Sequence, residues 1–185
     1  MTNITQHSIW SQDLYTETLR FAGVAHLGQK VPGTEISYVM HLSTVSMEVI
    51  AALRAEPGHD ENLAVQCALL HDTIEDTAVT YGEVEAQFGT AVAEGVLTLT
   101  KDPALPKAEQ MADSLNRIRK QPHEIWMVKL SDRICNLQPA PHYWTAEKKF
   151  NYRKEAGSIL AALGEASAYL AARLQAKIDN YDVGS

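Results

Sequence analysis

The segment His71-Asp72-Thr73-Ile74-Glu75-Asp76 concentrates an imidazole and three carboxylates at the end of the largely apolar stretch from Leu63 to Leu70. Taking an unpaired carboxylate out of water costs several kcal/mol or moves its pKa. A group this dense must therefore be solvated, salt-bridged or turned toward a cation. Few lysines or arginines stand nearby in the chain. On a continuous helix Glu75 lies one turn beyond His71 and Asp76 one turn beyond Asp72, which sets two acids behind two potential ligands. A metal needs more donors than an adjacent pair supplies. His41, upstream, and Asp132, downstream in Val128-Lys129-Leu130-Ser131-Asp132-Arg133, can complete the set from two other helices. Two imidazoles and two carboxylates suit manganese, iron or zinc better than calcium, which prefers oxygen throughout. A salt bridge is the competing role for Asp132, with Lys129 the better partner because neighbours at i+1 on a helix diverge.

Such residues act together only if the fold brings them to one place. Nearly every long segment carries apolar residues at i, i+3, i+4 and i+7, and strand-like alternation is scarce, so an all-α fold is predicted. Helices are expected over about 14–27, 38–54, 60–70, 91–99, 107–120, 124–137 and 146–177, with a short one between Thr80 and Phe88. Asp60 is a candidate N-cap, Thr80 and Glu83 form a capping-box pair, and Gly89 closes the short helix. Pro32, Gly33 and Thr34 mark the stretch 29–37 as a loop. Segment 107–120 is polar on most sides and should be peripheral. The alanine-rich stretch 156–172 reads as close-packing helix.

With 185 residues and 45% hydrophobic content, the chain has enough apolar material for a compact core without staples. One domain over 1–185 is expected, its motifs lying between about 20 and 160. A net charge of −7 with no basic run disfavours nucleic acid as a partner. Neither a signal-like start nor a long apolar run is present, so a cytoplasmic protein without a membrane partner is expected. Cys67 and Cys135 sit in apolar periodic segments, form no C-x-x-C pair and read as reduced core residues. The sequence leaves the oligomeric state open.

The order His41, His71-Asp72, Asp132 resembles the H...HD...D signature of the HD-domain metal-dependent phosphohydrolases. The extended His71-Asp72-x-x-Glu75-Asp76 form is similar to their RelA/SpoT hydrolase branch. Ala25-His26-x-Gly28-Gln29-Lys30, Tyr38-Val39-Met40-His41, Ala68-Leu69-Leu70-His71-Asp72-Thr73-Ile74-Glu75-Asp76-Thr77, Phe88-Gly89 and Lys129-Leu130-Ser131-Asp132-Arg133-x-x-Asn136-Leu137 follow the order of the small single-domain alarmone hydrolases. Ser37 and Leu42 depart from that pattern, which has proline at both positions. The resemblance implies a single compact all-helical HD domain that releases pyrophosphate from a guanosine 3′,5′-polyphosphate such as ppGpp. It further implies manganese held by His41, His71, Asp72 and Asp132, with water activated by Glu75 and Asp76. Lys30 and Asn136 match substrate-contacting positions, and His26 a structural one. An anionic substrate also needs local positive charge. From the basic group Lys148, Lys149, Arg153 and Lys154, helical spacing selects Arg153 as the candidate phosphate contact. A 5′-nucleotidase of the same superfamily and a non-catalytic metal- and nucleotide-binding protein are the alternatives.

Overall fold

A computed structural model describes residues 10–183; His7, to which the sequence assigns no role, lies outside them. Among the described residues the chain forms ten α-helices and no named strand, with one isolated antiparallel bridge between Lys30 and Ser37. The helices are α1 (Gln12–Ala25), α2 (Val39–Ala55), α3 (Glu61–Leu70), α4 (Thr73–Asp76), α5 (Tyr81–Phe88), α6 (Thr90–Leu99), α7 (Lys107–Ile118), α8 (His123–Asn136), α9 (Ala146–Leu163) and α10 (Ala168–Asp179). No described helix is long and apolar enough to cross a membrane.

Side-chain caps explain several boundaries. Ser11 accepts the Leu14 N–H and starts α1, Asp60 accepts the Leu63 N–H at 3.0 Å and starts α3, and Thr80 with Glu83 makes a complete capping box before α5. Gly89, at φ 86°, adopts the left-handed region that a side chain would resist, and so lets α5 turn directly into α6.

The core is organised around α2, α3 and α8. α3 is buried on nearly every side, from Ala64 to Leu70, and packs against α1, α2, α6 and α8. α8 is buried continuously from Glu124 to Ile134 and touches α2, α3, α6, α9 and α10. Polar side chains on such helices are costly unless a partner is supplied. α7 is the peripheral helix the pattern predicts, with Ser114, Leu115 and Ile118 as its buried residues. Cys67 and Cys135 are both free; Cys67 is buried and Cys135 partly so.

One long final helix over 146–177 does not form. The chain turns through a 3-10 segment at Gly164–Ala166 and restarts as α10, with Ser167 accepting the Leu170 N–H. Glu56, at the end of α2, receives the Ser167 hydroxyl and the Tyr169 N–H, so the break is fixed by a carboxylate from a distant helix. α10 then folds back along α8 and α9.

Gly95 marks the tightest helix contact. A Cβ there would lie 2.6 Å from Ile125 Cδ1 and 2.7 Å from Cys67 Sγ, so α6 meets α3 and α8 only because the position has no side chain. Gly95→Val is expected to destabilise the protein by about 1–3 kcal/mol through overpacking. A urea midpoint equal to or above the parent's would show that this contact is slack.

Candidate metal centre and adjoining cavity

Three helical regions meet at one point. His41 lies in the first turn of α2, His71 caps the C-terminus of α3, Asp72 opens α4, and Asp132 lies near the end of α8. His71 Nε2 is 3.2 Å from His41 Nε2, 3.0 Å from Asp72 Oδ2 and 3.7 Å from Asp132 Oδ1. His41 Nε2 is 3.6 Å from Asp72 Oδ2 and 3.5 Å from Asp132 Oδ1. Ligand atoms of His41, His71 and Asp132 all lie within 4.8 Å of one another, and Asp72 approaches both imidazoles from the side.

Each of these groups except His41 has a further partner outside the cluster. The His71 Nδ1–H donates to the Ala68 carbonyl at 2.8 Å, which turns Nε2 to the centre. The Tyr38 hydroxyl donates to Asp72 Oδ2. Lys129 Nζ donates to Asp132 Oδ2 at 3.2 Å, and Asn136 Nδ2 donates to Asp132 Oδ1 at 2.5 Å. The Lys129 salt bridge weighed for Asp132 is therefore present alongside its place in the cluster. Arg133 turns away, to Glu155 and the face of Tyr152.

Electrostatics follow from this packing. Burial pulls the His71 imidazole down, but Asp72 and Asp132 outweigh it and push its pKa up from 6.5 to about 10. His41 is raised against the same burial by its bonds to Asp132 and Asp72. Burial lifts both aspartates, yet His71 and His41 hold Asp72, and Lys129 with the two imidazoles holds Asp132, well below the ordinary carboxylate range. Two imidazole lone pairs and two carboxylates facing one another are stable only with positive charge between them. A proton can supply it, and the nitrogen-and-oxygen donor set fits a borderline divalent cation.

The acidic pair lies differently from a continuous helix. α3 ends at Leu70, and the helical path resumes only as the single turn α4, although the Asp76 N–H still bonds to the Asp72 carbonyl at 2.9 Å. Glu75 swings to Lys101, taking its backbone N–H at 2.9 Å and its Nζ at 2.8 Å. Asp76 accepts from Gln29 Nε2 at 3.2 Å, while Gln29 Oε1 meets His26 Nδ1 at 2.7 Å and His26 stacks on Tyr38. Burial raises the Asp76 pKa and the charges of Asp72 and Glu75 add to it, with the Gln29 bond opposing.

A cavity of about 650 Å³ opens beside the cluster and meets it at His41 and Asn136. Its rim is formed by the loop from Val31 to Ile36 and the loop from Gln138 to Trp144. Where the resembled pattern has proline, Leu42 donates its N–H to the Tyr38 carbonyl. Lys30 pairs with exposed Glu35 and does not line the cavity, and neither does Arg153. The structure thus gathers His41, His71, Asp72, Asp132 and Asn136, keeps Glu75 and Asp76 on neighbouring supports, and leaves Lys30 and Arg153 outside. The sequence reading passed over Lys101 and the Tyr38 hydroxyl bond, because both join residues far apart in the chain with no local pattern.

A histidine whose folded pKa exceeds its unfolded value gives stability that is complete below the unfolded pKa and lost as pH rises through the folded one. With His71 raised from 6.5 to about 10, the chelated protein is expected to lose stability across that interval. Adding a divalent cation on the alkaline side should restore the urea midpoint, because the cation replaces the proton. A midpoint that stays flat or rises in chelator would remove the protonated imidazole from this centre.

Residues 18–168 match the HD domain family. The guanosine-3′,5′-bis(diphosphate) 3′-pyrophosphohydrolase of Danio rerio is 32% identical over 164 residues, covering 86% of this chain and 89% of the relative. The Homo sapiens enzyme of the same description is 31% identical over 152 residues, 80% and 83% of the two chains. A solved structure of a metazoan ortholog of SpoT that hydrolyzes ppGpp superposes with a TM-score of 0.80 at 26% identity, covering 96% of this chain and 100% of that one. With the helical architecture, the His/Asp cluster and these likenesses in agreement, the chain belongs to the HD domain family.

Proposed function

We propose that the chain is a guanosine-3′,5′-bis(diphosphate) 3′-pyrophosphohydrolase that works with manganese in the cytoplasm. The observation carrying the substrate is the similarity to enzymes of that description over 89% of a relative's length. The chemistry rests on the buried His41, His71 and Asp132, with half-buried Asp72 beside them, adjoining a cavity of about 650 Å³, within the size range of small-molecule sites. His41, His71, Asp72 and Asp132 would hold the ion. When bound, such a cation makes water more acidic and polarises a phosphoryl oxygen.

Hydrolysis at the 3′-diphosphate consumes one water. The water oxygen bonds to the phosphorus attached to O3′, that P–O3′ bond breaks, and O3′ gains a proton, leaving guanosine 5′-diphosphate and pyrophosphate. Asp76 is the better-placed acceptor for the water proton. Its Oδ2 is positioned by Gln29, and its raised pKa brings it closer to the proton it must take. Each Glu75 oxygen already accepts one bond from Lys101, which suits Glu75 to a supporting role: it ties down the short helix that carries Asp76 and adds negative charge beside it. Asn136 holds Asp132 and borders the cavity, where its free amide oxygen is available to the nucleotide. Family membership and this donor set favour catalysis over a purely binding role.

Chelation is expected to abolish pyrophosphate release from guanosine tetraphosphate, and manganese to restore it. Release of monophosphate alone, from 5′-mononucleotides, would replace the proposal with a nucleotidase. Asp76→Asn should retain the ion and lower turnover roughly 10²- to 10⁴-fold, as for a lost acid–base group. Full turnover in that variant would move the base elsewhere, and loss of the ion would make Asp76 a ligand.

A further inference from the structure

We propose that Lys177, on α10, binds the phosphate group of the nucleotide that is not hydrolysed, which in the function proposed above is the 5′-diphosphate. A substrate whose reacting end lies at His41 and Asn136 must lay the rest of its length in the cavity that these residues border. Lys177 is the one lysine or arginine among the residues lining that cavity. It is half-buried, and among the described residues no hydrogen bond or ion pair engages its ammonium group.

Other cations around the site are already committed. Lys30 pairs with Glu35, Lys101 with Glu75, Lys129 with Asp132, and Arg133 with Glu155. Glu48, the one carboxylate in the cavity lining, is neutralised by Arg173, which stands one helical turn before Lys177 on α10. Among the described residues, Lys177 is therefore the one lysine or arginine of the cavity lining, and no ion pair offsets its charge. Its wall is otherwise largely apolar, with Met47, Ile134, Trp144 and Tyr152 among the residues that reduce water access and strengthen that charge. A lysine serving solubility alone gains nothing from facing such a wall. A nucleotide with anionic groups at both ends needs a cation at the far end as well as at the reacting one.

Lys177→Gln and Lys177→Arg test the assignment, with matching thermal melts as the check on folding. With guanosine 3′,5′-bis(diphosphate), Lys177→Gln should raise KM roughly ten- to a hundredfold, the range for a lost hydrogen bond to a charged group, and leave kcat within about twofold. Lys177→Arg should stay near the parent. With guanosine 3′-diphosphate, which lacks the 5′ phosphates, parent and Lys177→Gln should have the same KM. No rise with the first substrate, or an equal rise with both, overturns the assignment. A parent that releases pyrophosphate from neither substrate refutes the proposed function but not this inference, which calorimetric titration then decides. Tighter binding of guanosine 5′-diphosphate than of guanosine, lost in Lys177→Gln, supports Lys177 as the phosphate contact; equal binding by parent and variant overturns it.

Discussion

Electron-rich groups turned toward one another in a buried place impose the main constraint on this protein. The two imidazole Nε2 atoms lie 3.2 Å apart, with carboxylate oxygens of Asp72 and Asp132 beside both. Left to themselves these groups would separate or take up protons. All but His41 are held by partners outside the cluster: the Ala68 carbonyl on His71, the Tyr38 hydroxyl on Asp72, and Lys129 with Asn136 on Asp132. Outer partners of this kind set ring orientation and ligand basicity, and so decide what charge the centre accepts.

Holding such a cluster requires helices that do not yield. α8 carries Lys129, Asp132 and Arg133 through the core, and each has a partner: Lys129 and Asp132 bond one another, and Arg133 reaches Glu155 and the ring of Tyr152. Removing one member of a buried pair strands the other, typically at a cost of about 3–5 kcal/mol, so the site and the core are mechanically one object. The same logic applies at the far end of α2. There Glu56 captures the start of α10 and Glu48 binds Arg173, so that α10 is pinned against the cavity by two carboxylates of α2.

Legibility in the sequence followed the range of the forces involved. The all-helical fold could be read because apolar period and capping are local, as Asp60, Thr80 with Glu83, and Gly89 illustrate. The candidate ligands stood out because ionisable residues at the end of an apolar helix demand a partner. The end of α3 at Leu70 agrees with the apolar run, but the separate turn from Thr73 to Asp76 was not legible, since no glycine or proline marks it. Between α9 and α10 the signal existed, as Gly164 followed by Ser167, but the alanine-rich run around it argued for continuity and the deciding carboxylate, Glu56, is remote. Glu75 with Lys101 was hidden for the same reason, and Lys30 with Glu35 because a loop with no regular period brings them together. Which cation meets which acid is settled by loop geometry, and composition is silent on it.

A chain of net charge −7 that is proposed to take a highly anionic nucleotide must solve its electrostatics locally. Screening makes this possible, because surface charges beyond roughly 8–10 Å contribute little at physiological salt. The balance inside the site is then what matters, and it is uneven. Lysines nearest the cluster and its acidic neighbours are already paired, Lys101 with Glu75 and Lys129 with Asp132. In the proposed function, attraction for phosphate at the reacting end would thus fall to a cation held by the histidines and aspartates. The distal end depends on a cation whose own acids have been neutralised, and Arg173 on Glu48 achieves that one turn before Lys177. Positive charge used for positioning and positive charge left for binding are in this way divided between different helices, so an acidic surface is no obstacle to an acidic substrate.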